Sequence, residues 1–445
     1  MATPRSVAFH TLGCKLNFAE TSYVKRLFEN DGYSVVPYDS EADVYVLNTC
    51  SVTENADREC RKSVRQVHRQ NPQARIVVMG CYAQLKPTEI AEIEGVDLVL
   101  GAAEKFNILQ YLHALEAVPQ RTAVHAGDIQ LANTFHPAYS HGDRTRTFLK
   151  IQDGCDYKCT FCTIPKARGK SRSAPIPEII SQAKQIGQSG IREIVLTGVN
   201  IGDFGNGTSV IEGQRPKKEA LFIDLIQALE DVEEINRFRI SSIEPNLCTN
   251  EIISFVAQSS KFMPHFHMPL QSGHNDILRS MKRRYLRELY AERVETIRQL
   301  IPHACIGVDV ITGFPRESDL HFEDTFRFLR DLEIDYIHAF TYSERKDTPA
   351  AAMPDIVPVQ VRRERSQALR QLSLKKKHNH YQRHLGETRH VLLERGPDAE
   401  HLYGFTDNYI KILIQAPISR VNTIGPITLD HIISHGDEIL VAANA

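Results

Sequence analysis

Through residues 1–140, short apolar runs rich in β-branched residues alternate with longer stretches whose apolar positions recur at helical spacing. The runs at 6–12, 34–37, 44–48, 76–80 and 96–101 predict strands, and those at 20–30, 56–69 and 87–94 predict helices. Strands that alternate with helices predict a small α/β domain built on a mainly parallel sheet. The polar, His-containing stretch 135–143 reads as a linker.

From Thr147 the same rhythm restarts. Strands are predicted at 147–152, 193–197, 237–242, 265–269, 307–312 and 336–342, each followed by a helix-compatible stretch. Six such units predict a partial (βα)6 barrel of the TIM type over 141–375, with its chemistry on the loops at the C-terminal ends of the strands. Residues 359–384 read as one long helix. Over 380–445 the helical spacing gives way to β-rich runs at 388–393, 409–414, 425–433 and 438–442, which predict a small all-β barrel. The expected fold class is α/β, with three units at 1–140, 141–375 and 380–445.

Composition narrows the setting. A chain of 445 residues exceeds one ordinary domain, and 42% hydrophobic content suffices for sizeable cores. A net charge of −2 gives no global signal for nucleic acid, so any basic surface is local. No apolar run reaches the length of a membrane span, and the N-terminal residues lack a signal-peptide pattern. A soluble cytoplasmic protein without a membrane partner is expected. Nine cysteines without a pairing pattern, six of them at motif-like positions, point to metal in a reducing compartment rather than to disulfides.

Cys155, Cys159 and Cys162 form a C-x3-C-x2-C run directly after the first predicted barrel strand. Three thiolates so spaced suit three irons of a four-iron cluster and leave the fourth open to chemistry. A zinc knot calls instead for C-x2-C pairs with a partner pair downstream, which the sequence lacks. Cys14, Cys50 and Cys81 follow three separate strands of the first domain, at the sheet edge where ligands of open α/β sheets gather. One cysteine there is commonly a small buried hydrophobe; three at strand ends form a second ligand set. Cys60, in a polar helical run, and Cys305, at the start of a barrel strand, are not expected to be ligands; Cys248, near the barrel mouth, reads as structural, with an approach to the active site as the alternative.

The segments Thr11-Leu12-Gly13-Cys14-Lys15-Leu16-Asn17, Asn48-Thr49-Cys50 and Gly80-Cys81-Tyr82-Ala83-Gln84, followed by the C-x3-C-x2-C run, closely resemble the methylthiotransferases, a family of radical S-adenosylmethionine enzymes. The resemblance covers essentially the whole chain, and Gly404-Phe405-Thr406-Asp407-Asn408-Tyr409 resembles the signature of the family's C-terminal TRAM barrel. Known members act on isopentenyl- or threonylcarbamoyl-adenosine beside the tRNA anticodon, or on an aspartate of a small-subunit ribosomal protein. The opening Gly-Cys-Lys-x-Asn is most like the threonylcarbamoyladenosine members. The isopentenyl members more often have Gly-Cys-Gln-Met-Asn, and the ribosomal-protein members Gly-Cys-Pro-Lys-Asn.

The resemblance implies two [4Fe-4S] clusters and S-adenosylmethionine. The cluster on Cys155, Cys159 and Cys162 would cleave S-adenosylmethionine to a 5′-deoxyadenosyl radical that takes hydrogen from adenine carbon 2. The cluster on Cys14, Cys50 and Cys81 would carry the sulfur, and a second S-adenosylmethionine would supply the methyl group. It further implies Phe161 beside the cofactor adenine, Thr197 and Gly198 at its amino group, and Ser242 and Glu244 at its ribose or methionine polar groups. Gln271, Asp309 and Ile311 continue the ring; packing of the barrel is the alternative for the apolar and glycine members. Arg168 and Arg172 suit either the methionine carboxylate or RNA phosphate.

Partners implied are the tRNA anticodon stem-loop, a low-potential electron donor such as flavodoxin or ferredoxin, and a sulfur donor that the sequence does not specify. Residues 361–384 hold eight Lys or Arg and one Glu, +7, and together with Lys282-Arg283-Arg284 are candidate phosphate contacts, a solvated helix face being the alternative. Residues 385–445 hold four Lys or Arg against eight Asp or Glu, −4, so a general electrostatic grip by that unit is not expected. A different class, an iron–sulfur redox sensor that binds RNA, predicts no 5′-deoxyadenosine formation.

Overall fold

The computed structural model describes residues 5–51, 54–117, 122–142, 145–206, 218–435 and 438–444. Strands β1 (Ser6–Thr11), β2 (Ser34–Val36), β3 (Val44–Thr49), β4 (Arg75–Gly80), β5 (Leu98–Leu100) and β6 (Ala123–His125) form one parallel sheet in the order β2-β1-β3-β4-β5-β6. β3 is buried along its whole length, as a central parallel strand covered on both faces must be. Its alternation assigns Tyr45 and Leu47 to one core with Val64 and Val67 of helix Glu54–Gln70, and Val44 and Val46 to the other with Val24 and Phe28 of helix Lys15–Asn30. Strand β6 joins this sheet beyond β5, where the sequence pattern predicts none. The helix predicted to begin at Glu20 begins instead at Lys15, directly after Cys14.

The stretch expected to be a linker is anchored. Lys150 N donates to Ala138 O at 2.9 Å, and Tyr139 bridges to Leu149. Position 143, its last residue, lies outside the described residues.

Strands β7 (Arg146–Lys150), β8 (Gln152–Asp153), β9 (Arg172–Ser173), β10 (Glu193–Thr197), β11 (Arg237–Ile240), β12 (His265–Gln271), β13 (Cys305–Thr312) and β14 (Tyr336–Thr341) make up the second unit. The six long strands are parallel and lie in two halves, β11-β10-β7 and β12-β13-β14. Single bonds join the halves, among them Ile243 N to His267 O at 3.0 Å. The strand number and order of a partial barrel are present, but its wall is split between β11 and β12 rather than continuous. One hydrophobic core spans both halves.

Strands β15 (Thr388–Arg395), β16 (His401–Thr406), β17 (Lys411–Gln415), β18 (Ile424–His435) and β19 (Glu438–Asn444) close into a barrel in the order β15-β16-β17-β19-β18. Closure removes exposed strand edges. β16 is a strand that the sequence pattern leaves unassigned. Helix Val359–Arg383 leads into this barrel and places Tyr381 in its core.

The three units lock together from opposite ends. The small barrel seats against the starts of β7 and β11: Arg146 pairs with Glu394 at 2.7 Å, and Arg239 Nη2 donates to Thr406 O at 2.7 Å. The first domain instead meets loops at the opposite, C-terminal ends. Arg345, after β14, pairs with Asp57 at 3.0 Å. Its sheet edge thereby faces the mouth of the second unit. Among the described residues no helix is long and apolar enough to cross a membrane.

Candidate active site

Cys50 and Cys81 stand directly after β3 and β4, and Cys14 follows β1 beyond Leu12 and Gly13; the three strands are adjacent in the sheet. Backbone shape makes this possible. Gly13 has φ +105°, and a Cβ there would meet Cys50 Cβ at 2.5 Å. Gly80 has φ +104°, and a Cβ there would meet Asn48 Oδ1 at 2.5 Å. Both positions need the left-handed region and lack side-chain room, which leaves glycine. Asn17, one turn along helix Lys15–Asn30, donates to Leu12 O at 2.8 Å and Thr49 O at 3.2 Å, tying two of the cysteine loops together. Cys50 and Cys81 are buried and Cys14 is exposed.

Cys155, Cys159 and Cys162 lie on the loop after β8. Cys162 N donates to Cys159 O at 3.1 Å, curling the loop, and Tyr157 N and Ile164 N donate to the sulfurs of Cys155 and Cys162 at 3.4 Å each. Arg283 Nη1 donates to Cys159 Sγ at 3.1 Å and its other end is paired with Glu244. Burial pushes the Cys155 and Cys162 thiols up to about 12 and raises Cys159 as well. A bound iron offsets that penalty, because a coordinated thiol is deprotonated outright.

The two cysteine sets adjoin. Thr163, next to Cys162, donates through Oγ1 to the carbonyl of Ser51, next to Cys50, at 3.5 Å. Behind them lies a charge network that spans both domains. Glu20 accepts from Lys105 at 2.5 Å, Lys150 at 3.0 Å and Arg168 at 3.0 Å, and Asp153 from Lys150 at 2.7 Å and Arg172 at 3.2 Å. These side chains are essentially out of solvent. Burial alone would raise the Glu20 carboxyl, but Arg168, Lys105 and Lys150 hold it well below the usual carboxylate range. Four cations thus face two carboxylates, a surplus of two positive charges. Burial raises the Cys81 thiol, and the charges of Arg168 and Lys105 oppose that rise. An anionic thiolate-bound cluster fits that surplus.

A cavity of about 260 Å³ opens beside Cys162 and is lined by Phe161, Gln271, Asp309, Ile311 and Phe340 among others. Gln271 sits at φ +70°, at the irregular register of β12 against β13, a strained placement that turns this residue to the cavity. Asp309 Oδ1 lies 3.0 Å from His267 Nε2 and 3.2 Å from His338 Nδ1, and burial is outweighed by these two partners, which keep its carboxyl low. Asn200, in the loop after β10, is 3% exposed with both side-chain amide atoms unpartnered. Such an orphaned group suits a polar ligand atom.

Four of the nine expected cofactor contacts, Phe161, Gln271, Asp309 and Ile311, meet at this cavity. Thr197 and Gly198 end β10, where Gln152 Oε1 ties the loop by accepting from Val199 N at 3.0 Å and Asn200 N at 2.8 Å. Ser242 is half-buried after β11. Glu244 is occupied by Arg283. Arg172 departs from its expected role: it donates to Thr134 O at 3.0 Å, Arg168 O at 2.7 Å, Lys170 O at 3.0 Å and Asp153, leaving no fork for a methionine carboxylate or a phosphate. Arg168 is likewise committed to Glu20, Asp153 and Asn17. Arg283 faces Cys159 instead of RNA.

On the basic helix, Arg362 pairs with Glu344, Arg365 with Glu317 at 2.7 Å and Arg383 with Asp335 at 2.6 Å, while Lys376 caps the carbonyls of Arg330 and Leu332. Arg363, Arg370 and Lys375 are exposed, as is Arg383 beside its partner Asp335. Cys60, Cys248 and Cys305 are each buried, Cys60 and Cys248 within hydrophobic cores. Phe340 and Thr341, the last residues of β14, and Tyr342 and Ser343 after it also line the cavity. Their position at a strand's C-terminal end was a usable signal, and the sequence reading assigned none of them.

Comparison with known proteins adds the following. The profile of the uncharacterized protein family UPF0004 matches residues 6–101, and that of the radical SAM superfamily matches residues 149–329. The threonylcarbamoyladenosine tRNA methylthiotransferase MtaB of Bacillus subtilis (strain 168) is 38% identical over 94% of this chain and 92% of its own. Its namesake in Aquifex aeolicus (strain VF5) is 38% identical over 91% and 96%. The tRNA-2-methylthio-N(6)-dimethylallyladenosine synthase of Staphylococcus aureus (strain JH9) is 29% identical over 97% and 84%. Among solved structures, the radical S-adenosylmethionine methyltransferase TsrM from Kitasatospora setae, with cobalamin and a [4Fe-4S] cluster bound, superposes with a TM-score of 0.55 at 12% identity, over 78% of this chain and 74% of that one. That likeness concerns the fold.

Proposed function

The chain belongs to the radical S-adenosylmethionine tRNA methylthiotransferase family, and from that premise we propose that it converts threonylcarbamoyladenosine beside the tRNA anticodon to its 2-methylthio derivative. The observation that carries the reading is the meeting of two three-cysteine sets at one mouth, with Thr163 and Ser51 in contact between them. Cys155, Cys159 and Cys162 would hold one [4Fe-4S] cluster that takes S-adenosylmethionine, and Cys14, Cys50 and Cys81 would hold a second. When bound, these groups supply one-electron cleavage of the cofactor, hydrogen abstraction from an unactivated carbon, and sulfur.

The protein's own part is positioning and electrostatics. Arg283 withdraws charge from the Cys159 sulfur, and Glu244 fixes the angle of its guanidinium. Phe161, Ile311 and Phe340 exclude water from the cavity, while Gln271 and Asp309 offer polar atoms to orient what enters. The surplus positive charge behind Cys81 would steady the second, anionic cluster. Arg363, Arg370 and Lys375 are available for RNA phosphate, and a loop adenine leaves its stack readily to enter the site. A low-potential donor such as flavodoxin or ferredoxin supplies electrons in the cytoplasm, where the tRNA is met.

The test is incubation of the reduced, cluster-loaded protein with S-adenosylmethionine and an anticodon stem-loop RNA carrying threonylcarbamoyladenosine. Nucleoside mass spectrometry is expected to show the methylthio product. A product formed from an isopentenyladenosine RNA instead overturns the substrate.

A further inference from the structure

His267 of β12, Asp309 of β13 and His338 of β14 stand on three adjacent parallel strands. Asp309 is paired in register with His338, and His267 with Gly307, two residues before Asp309, so all three side chains share one face of the sheet. That face bears the cavity beside Cys162: Asp309 lines it, as do Ile311 and Phe340, each two residues further along its strand. The interior of such a strand wall is ordinarily filled by branched apolar side chains. Two imidazoles and a carboxylate in that place need a physical reason.

Both imidazoles converge on one oxygen. Asp309 Oδ1 lies 3.0 Å from His267 Nε2 and 3.2 Å from His338 Nδ1, and the three atoms lie within 4.8 Å of one another. Ligand atoms around one cation stand about 2.9–3.4 Å apart when each bond is about 2.0–2.1 Å long. His338, the most exposed of the three, can close the remaining gap by rotating.

The far side of the set is built as well. His267 Nδ1 lies 3.0 Å from Tyr336 Oη, which lies 2.9 Å from His265 Nε2. A ligating imidazole commonly has its other ring nitrogen held in this way, which fixes its tautomer and its aim. With a cation at Nε2, His267 carries its proton on Nδ1 and donates it to Tyr336, whose hydroxyl then donates to His265. Tyr409 of the small barrel stacks on His265 at 3.9 Å and closes this column at the strand starts.

The geometry points to His267, Asp309 and His338 as the ligands of a divalent first-row transition cation. Two imidazoles and one carboxylate, without thiolate, suit zinc or iron(II), and three protein ligands leave positions open toward the cavity. The site is separate from the two cysteine sets and does not depend on the proposed substrate. A second grouping, His274, Asp276 and His321, is less suited, because its ring nitrogens already serve helix starts: His274 Nδ1 accepts from Asp276 N at 3.2 Å, and His321 Nδ1 from Ser318 N at 3.3 Å.

The experiment dialyses the cluster-loaded protein anaerobically against zinc, counts zinc and iron by mass spectrometry, and measures zinc affinity by competition with a chelator. The wild type is expected to hold about one zinc per chain beyond about eight irons. Zinc K-edge absorption is expected to show nitrogen and oxygen at about 2.0–2.1 Å and no sulfur at about 2.3 Å. His338→Ala and Asp309→Asn are each expected to weaken zinc by about 100-fold or more, and Tyr336→Phe by about 10-fold. His321→Ala is expected to keep the wild-type zinc. Iron content reports the integrity of each variant, and His338→Gln replaces His338→Ala should the latter lose its iron. A wild type that takes no zinc, or takes it only as cluster absorbance is lost, overturns the inference. So does zinc that survives both His338→Ala and Asp309→Asn, or that is lost with His321→Ala alone.

Discussion

Arg168 Nη1 donates to Glu20 Oε1 at 3.0 Å across 148 residues of sequence, with both side chains withdrawn from solvent. This contact joins the domain that carries Cys14, Cys50 and Cys81 to the domain that carries Cys155, Cys159 and Cys162. It therefore helps to set the distance between the two metal-binding sets.

Breaking it should loosen the whole interface. Removing one partner of a buried ion pair costs about 3–5 kcal/mol because the other charge stays buried and unpaired. Arg168→Met is expected to lower the unfolding free energy by about that amount, read by denaturant titration of the metal-free protein. The Glu20 carboxyl lies below its ordinary value of 4.5 in the folded state, so its stabilisation is full above that pH and is lost as pH falls below it. Glu20→Gln is expected to flatten that acid limb.

His136 gives a second, separable pH dependence. It stacks on Phe106 at 4.2 Å, and burial, then Lys150, Arg172 and Lys105, bring its pKa from 6.5 down to about 4. The unfolded chain takes up the proton first. Stability is therefore full above pH 6.5 and falls through the window from 6.5 to about 4. His136→Phe keeps the stack and is expected to remove that slope in thermal melts taken across the window.

The cysteine sets should lose metal independently. Replacing Cys14, Cys50 and Cys81 with Ala is expected to lower iron from about eight to about four per chain while 5′-deoxyadenosine formation persists. Replacing Cys155, Cys159 and Cys162 is expected to halve the iron and abolish that product. Iron analysis and chromatography of the reduced protein with S-adenosylmethionine check both.

Arg283 should tune the first cluster. Its guanidinium reaches Cys159 Sγ at 3.1 Å, and a positive donor there favours the reduced, more negative state. Arg283→Gln is expected to lower the reduction potential by about 60 mV, the equivalent of one charge-assisted hydrogen bond of about 1.4 kcal/mol. Redox titration followed by electron paramagnetic resonance measures the shift.

Much of the architecture was legible because periodicity is local. A run such as Val44–Thr49 announces a doubly covered parallel strand from its composition, and the strand after it can be counted from the next turn. β6 escaped because Ala123-Val124-His125 holds a single β-branched residue, and β16 because Gly404 interrupts it. The two cysteine sets were legible for a related reason: C-x3-C-x2-C is a local spacing, and Cys14, Cys50 and Cys81 each follow a readable strand.

What the arginines do was not legible. Arg168, Arg172 and Arg283 looked alike in sequence, as cations near a reactive loop that suit a carboxylate or a phosphate. Their partners are Glu20, Asp153 and Cys159 with Glu244, most of them distant along the chain, and only folding brings them within hydrogen-bond reach. The sequence by itself determined most of the order of strands and helices and singled out the two cysteine sets, because both are written in short-range spacing. The tertiary structure decided which charges cancel within the protein, because pairing depends on distances in space that no local pattern records.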